Sequence, residues 1–207
     1  MKKTITWTSP GDSKPALSRR AFQEFIFSWY DENGREFRWR KTQDPYEILV
    51  AEFLLQKTHV RKVPEVYEIF LSLWPRIDDL ATADHERVEG VVGQLGFRYR
   101  AQRLVATART VLDSYSGVIP RDYNELLCLP GVGPYIATAV SVFAFGERRV
   151  VVDTNVIKIL EHFFGFRSSK PRPRTDKAVW EFADSLAPSS RVQDFNWGLL
   201  DYSAAEL

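Results

Sequence analysis

Two carboxylates in this sequence stand where a carboxylate can do more than meet solvent. Asp153 follows an apolar extended run, Arg149–Val152, and precedes a helical pattern carrying Val156, Ile157, Ile159 and Leu160. Held there by rigid structure at the rim of a core, a carboxylate can stabilise a developing positive charge and orient a water. The position equally suits an N-cap, for which aspartate is among the preferred residues, and spacing alone leaves both readings open. Glu52 has Ile48, Leu49, Leu55 and Gln56 three and four positions away. Beside that apolar stripe it is partly desolvated, which favours the protonated form and suits a group that donates to a leaving group. A boundary glutamate reaching out to water is the alternative.

A third feature binds rather than reacts. In Leu126-Leu127-Cys128-Leu129-Pro130-Gly131-Val132-Gly133-Pro134-Tyr135, glycines at alternate positions join two helical patterns, the second rich in alanine. Glycine lets the backbone take left-handed angles and lets another chain come close. The amide hydrogens opening the second helix then point outward and can dock an anion such as a DNA phosphate, which fixes position and reads no sequence. A Gly-x-Gly turn between packed helices is common by itself; the longer Leu-Pro-Gly-Val-Gly run is more specific. Gly131, Val132 and Gly133 are the expected contacts.

The elements that must hold these residues are helical almost throughout. Apolar periodicity predicts helices over 17–30, 45–59 (opened by Asp44-Pro45), 63–73, 78–82, 85–93, 100–114, 121–128 and 134–145. Another passes through Val156–Leu160, and a last one covers 177–186, with the chain ending soon after Asn196-Trp197-Gly198. Between them lies a basic loop, Arg167–Arg174. The fold class is all-α.

The hairpin followed by Val151-Val152-Asp153 resembles the helix-hairpin-helix, Gly/Pro-rich loop, aspartate signature of the DNA glycosylases that include endonuclease III and adenine DNA glycosylase. The resemblance runs from about Trp29 to Ser203. Tyr46–Thr58 resembles the family's first active-site helix, and Leu95-Gly96-Phe97 with Arg100-Ala101 a second DNA-contacting segment. It implies two helical lobes, 40–146 with the hairpin and 1–39 plus 147–207, with an active cleft between them. It also implies that Asp153 serves the sugar and Glu52 an extruded base in hydrolysis of an N-glycosidic bond. Strand-cutting relatives carry a lysine at the position of Tyr135 that forms a Schiff base; tyrosine cannot, so a monofunctional enzyme leaving an abasic site is expected. Tyr135, with Arg35–Arg40 (Arg-x-Phe-x-Trp-Arg) and Asp201-Tyr202-Ser203, looks more like the thymine/uracil glycosylases acting on G·T and G·U mismatches than like the adenine enzymes. Gln56, Lys57 and Phe97, with Arg98 beside it, are candidates to fill the emptied stack and contact the widowed base. Adenine excision, and a non-catalytic module that only grips DNA, are the rival readings.

Carbonyls of Leu127, Leu129 and Val132 are a candidate seat for Na+ or K+, as in relatives. No other cofactor is required. Many relatives end in four cysteines that hold an iron–sulfur cluster; the single cysteine here, Cys128, supplies no such site, whether by lineage or by truncation, and reads as a small buried hydrophobe. If the cluster is lost, Trp180, Phe182, Phe195 and Trp197 must hold the terminal helices. With 14% aromatic residues the chain has ample core material. Its apolar runs are too short for a bilayer, and Met1–Trp7 does not read as a signal peptide, so a cytoplasmic, nucleoid-associated monomer with mismatched duplex DNA as partner is expected. Net charge is +1, so binding a polyanion needs basic side chains gathered on one face. The clusters are Arg35–Lys41, Lys57–Lys62, Arg98–Arg103 and Arg167–Arg174.

Overall fold

A computed structural model describes residues 17–96 and 98–207. Among these there is no β-strand, and no helix is long and apolar enough to cross a membrane. Met1–Trp7 lies outside the described residues. The chain divides into two compact units, one of Arg35–Val151 and one of the segment up to Gly34 with Val152–Leu207. The sequence reading put the joins a few residues later and earlier, at 39/40 and 146/147. Arg35–Arg40 goes with the first unit because Trp39 stacks on Phe37 and meets Tyr67 edge-on, so its aromatic face is buried there.

The Arg35–Val151 unit contains α2 (Pro45–Leu55), α3 (Val63–Leu73), α4 (Ile77–Ala81), α5 (His85–Val92), α6 (Tyr99–Tyr115), α7 (Tyr123–Cys128) and α8 (Pro134–Phe143). Helix α2 is its axis, packing on α3, α6 and α8, and from Ile48 to Leu54 every side chain is buried. Asp44 starts it by accepting the Tyr46 amide at 2.8 Å, with Pro45 at the first helical position. It ends at Leu55 rather than near His59, because Gln56 turns extended (ψ 115°) and Lys57 enters the left-handed region at φ 52°.

The other unit contains α1 (Arg19–Asn33), α9 (Thr154–Phe164), α10 (Lys177–Ser185) and α11 (Val192–Glu206), with α11 packed on both α1 and α9. Helix α11 was not expected. Its buried residues include Asn196, Gly198, Asp201 and Ser203, so polar residues and a glycine interrupt the apolar period from which the others were read. Gly198 is required by close packing: a Cβ there would stand 2.8 Å from Ile26 Cγ2 of α1. The aromatic core of this unit also differs from the expected quartet. Phe22 meets Phe163, Phe164 and Phe195, Tyr202 meets Phe25 and Trp29, and Phe182 stacks on Phe166 at 4.5 Å. Trp180 instead donates to the Arg174 carbonyl at 2.9 Å.

Arg149–Val152 is neither helix nor strand, and Val150–Val152 are at most 1% exposed. One local expectation changes. Cys128 is exposed, not buried: α7 turns Leu126 inward, and a residue two positions on lies across the helix from it.

Candidate active site

The hairpin is built as its glycines require. Helix α7 closes at Leu129, whose carbonyl accepts the Val132 amide at 3.1 Å across a tight turn. Gly131 sits at φ 78°, and a Cβ on it would lie 2.8–3.1 Å from the Arg103 side chain of α6, so both angle and space demand glycine. Gly133 has an ordinary φ of −98° and nothing within 4 Å of where a Cβ would be. Its side of the hairpin is open.

Helix α8 starts at that opening without a side-chain cap. The contrast with its neighbours is physical. Helices α2, α5, α7, α9 and α10 all start on an aspartate that accepts an amide of the first turn. A carboxylate at the head of α8 would occupy the amides and repel a phosphate; glycine leaves them available.

Tyr135, in the first turn of α8, is half-buried, and Glu52 lies on α2, only 5% exposed. Because α2 packs on α8, one unit brings the two helices together. Glu52 is thus buried outright rather than reaching to water from a boundary, a consequence of α2 being covered on all sides.

Asp153 belongs to the other unit and caps α9. One carboxylate oxygen accepts the Val156 amide and the other accepts Nδ2 of Asn155, both at 2.9 Å. Burial pushes its carboxyl above the usual range, offset in part by the Val156 and Asn155 hydrogen bonds and by the positive charge of Arg174. Capping and a chemical role are therefore compatible in one residue. Asn155 carries no signal in the sequence, and Arg174 stands out there only as part of a basic loop; neither declares its relation to Asp153 until the chain is folded.

Gln56 and Lys57 occupy the turn after α2, Gln56 half-buried and Lys57 exposed. Arg100, 1% exposed, fixes this turn by donating through Nη2 to the Gln56 carbonyl at 2.7 Å and to Thr58 Oγ1 at 2.9 Å. The sequence reading placed Arg100 in a DNA-contacting segment; the structure buries it as a strut under a turn. Arg98 is exposed but faces Glu89 at 3.4 Å, in a shallow polar depression with Glu86. Phe97 lies outside the described residues.

The basic clusters differ in fate. Arg38 pairs with Glu68 of α3, Lys41 with Glu36 at 2.6 Å, and Arg40 donates to the Arg35 carbonyl at 2.9 Å, so the Arg35–Lys41 cluster is engaged within its own segment and with α3. Arg103 lies over the Tyr99 ring at 4.6 Å.

Among the described residues no group of His, Cys, Asp or Glu is arranged to hold a metal ion. One exposed cysteine does not fit a four-thiolate cluster.

Comparison with known proteins bears on most of the chain. Residues 50–185 match the family described as HhH-GPD superfamily base excision DNA repair protein. A thymine/uracil-DNA glycosylase of Pyrobaculum aerophilum is 38% identical over 88% of this chain and 81% of its own length. A thymine-DNA glycosylase of Aeropyrum pernix is 40% identical, covering 90% and 83%. The solved structure of a thermostable thymine-DNA glycosylase superposes with a TM-score of 0.84 at 35% identity, covering 90% of this chain and 86% of that one.

Proposed function

This chain belongs to the HhH-GPD superfamily of base excision DNA repair proteins, and from that membership we propose that it removes thymine or uracil from G·T and G·U mismatches. The relatives' names and near full-length similarity support the substrate. The observation that carries the chemistry is Asp153, a desolvated carboxylate fixed by two hydrogen bonds at the head of α9.

In hydrolysis the bond from C1′ to the base nitrogen breaks with its electron pair leaving on the base. The water oxygen bonds to C1′, and its proton is released as the base acquires one. The sugar gains positive charge on the way, and ionised Asp153 stabilises it and orients the water. Glu52 and the Tyr135 hydroxyl engage the extruded base, the hairpin of Gly131, Val132 and Gly133 docks a backbone phosphate, and the turn of Gln56 and Lys57 enters the emptied stack. A mispaired base is cheaper to extrude, which supplies part of the selectivity. Tyr135 forms no Schiff base, so the product is an intact strand with an abasic site.

The carbonyls of Leu127, Leu129 and Val132 serve as a seat for one Na+ or K+; Leu129 keeps a second lone pair beyond its bond to the Val132 amide. The enzyme acts as a monomer on duplex DNA, in the cytoplasm at the nucleoid. Duplexes carrying G·T, G·U, G·A or 8-oxoguanine·A test the reading. Release of thymine and uracil, with no adduct trapped by borohydride, is expected. Release of adenine alone, or of no base, overturns it.

A further inference from the structure

The basic loop Arg167–Arg174 contrasts with the Arg35–Lys41 cluster, whose cations are engaged. Arg167, Lys170, Arg172 and Arg174 are all exposed, as is Lys177 just beyond. The one carboxylate in that stretch, Asp176, is turned inward at 6% exposure: it accepts the Ala178 amide at 3.1 Å and the Ser168 hydroxyl at 2.6 Å. Lys170 folds back onto the Thr175 carbonyl at 3.3 Å, and Lys177 pairs with Glu181 at 3.1 Å. Among the described residues Arg167, Arg172 and Arg174 take part in no ion pair, whereas Arg38 and Arg191 do.

A run of cations is ordinarily a loose, solvated surface. This one is built. The Lys170 amide donates to Ser168 Oγ at 3.0 Å, Thr175 Oγ1 to the Arg172 carbonyl at 2.8 Å, and Trp180 Nε1 to the Arg174 carbonyl at 2.9 Å, while Pro171 and Pro173 fix their own φ. Exposed and outside any ion pair among the described residues, the three guanidiniums are available to an anion. Guanidinium groups suit phosphate oxygens, which they grip through two donors at once. The loop also lies near the candidate carboxylate, since its Pro173–Thr175 turn packs on α9, the helix that Asp153 caps.

We infer that this loop is a second phosphate grip, additional to the hairpin, in which Arg167 and Arg172 hold backbone phosphates beside the nucleotide whose sugar Asp153 serves. The inference rests on the glycosylase reading for the identity of its polyanion, duplex DNA. Each phosphate neutralised releases counterions, so the grip has its own signature in the salt dependence of binding.

The test is the dissociation constant of a G·T duplex between about 50 and about 200 mM KCl for three proteins: wild type, R167Q/R172Q and R19Q/R20Q. The last pair is exposed at the start of α1 and removes the same charge. R167Q/R172Q is expected to flatten the log–log salt slope by roughly 1.8, about 0.9 per contact, with R19Q/R20Q following wild type. An unchanged slope in R167Q/R172Q overturns the inference, and so does an equal loss in both variants, which marks a net-charge effect. Base release by the wild type, measured on the same duplex, separates the two readings. Release with an unchanged slope sinks the grip alone; no release with a flattened slope sinks the glycosylase reading and leaves the grip standing. Matching melting temperatures exclude misfolding as the cause.

Discussion

Asp153 is asked to do two things that conflict. It must stay ionised for chemistry while the fold raises its carboxyl by burial. A folded-state value above the unfolded one means that Asp153 favours the native state at low pH, and that this contribution is lost as pH rises through the raised value. At neutral pH the ionised group therefore works against stability. Asp153→Asn keeps a cap of comparable quality and removes the buried charge. It should melt higher than wild type at neutral pH, with the difference narrowing as pH falls toward 3.8, and should slow base release by roughly 10²–10⁴-fold. Thermal melts of both proteins across pH, with single-turnover kinetics, check both halves; a variant that melts lower and keeps its rate contradicts them. Activity should show an acid limb lying above the ordinary aspartate range. Because Arg174 lowers the carboxyl, Arg174→Gln should move that limb to higher pH, read from the pH profile of the single-turnover rate.

At the scale of elements, the two hairpin glycines are required for different reasons and should fail differently. Gly131→Ala meets both a positive φ and the Arg103 side chain, so it should cost more than about 1 kcal/mol of stability and weaken DNA binding. Gly133→Ala fills open space at an ordinary φ, so the fold should tolerate it while the methyl group stands between a phosphate and the α8 amides. Melting temperatures and duplex affinities of the two variants distinguish these outcomes, and equal loss of stability in both would refute the contrast. The turn after α2 follows the same logic in reverse. Lys57 carries left-handed strain at φ 52°, and Arg100 is the buried strut that holds the turn from below. Arg100→Met removes two hydrogen bonds from a buried site, each worth about 1 kcal/mol, and chemical denaturation should register their loss.

On the scale of the molecule, stability is divided between the units, and that containing α1 and α9–α11 has an aromatic core. Phe195, fully buried on α11, meets Phe22 and Phe27 of α1. Phe195→Ala should destabilise by about 3–5 kcal/mol, measured by urea unfolding. A loss under about 1 kcal/mol would show that α11 is not what closes this core. Arg191 starts that helix in the left-handed region at φ 54°, held by Asp31 and Asp194 and lying over the Phe27 ring at 4.8 Å. Charge is distributed unevenly for a near-neutral chain: the Arg35–Lys41 cluster is engaged with its own segment and with α3, whereas Arg167–Arg174 keeps its guanidiniums outward.

The sequence by itself determined whatever depends on local order. Asp44-Pro45 starts a helix, alternate glycines make the hairpin, and the 3.6-residue period marks nearly every helix, because capping, φ preference and amphipathicity act over a few residues. The candidate residues Asp153, Glu52 and Tyr135 were legible through the motif that carries them. What tertiary structure decided was the environment of each side chain. It buried Glu52 by covering α2 on all sides, exposed Cys128, turned Arg100 into a strut and packed the Pro173–Thr175 turn on the helix that Asp153 caps. It also made a helix of Val192–Glu206, where buried polar residues mask the period. Burial, ion pairing and the field at a carboxylate are set by residues far apart in the chain, so no local pattern can encode them.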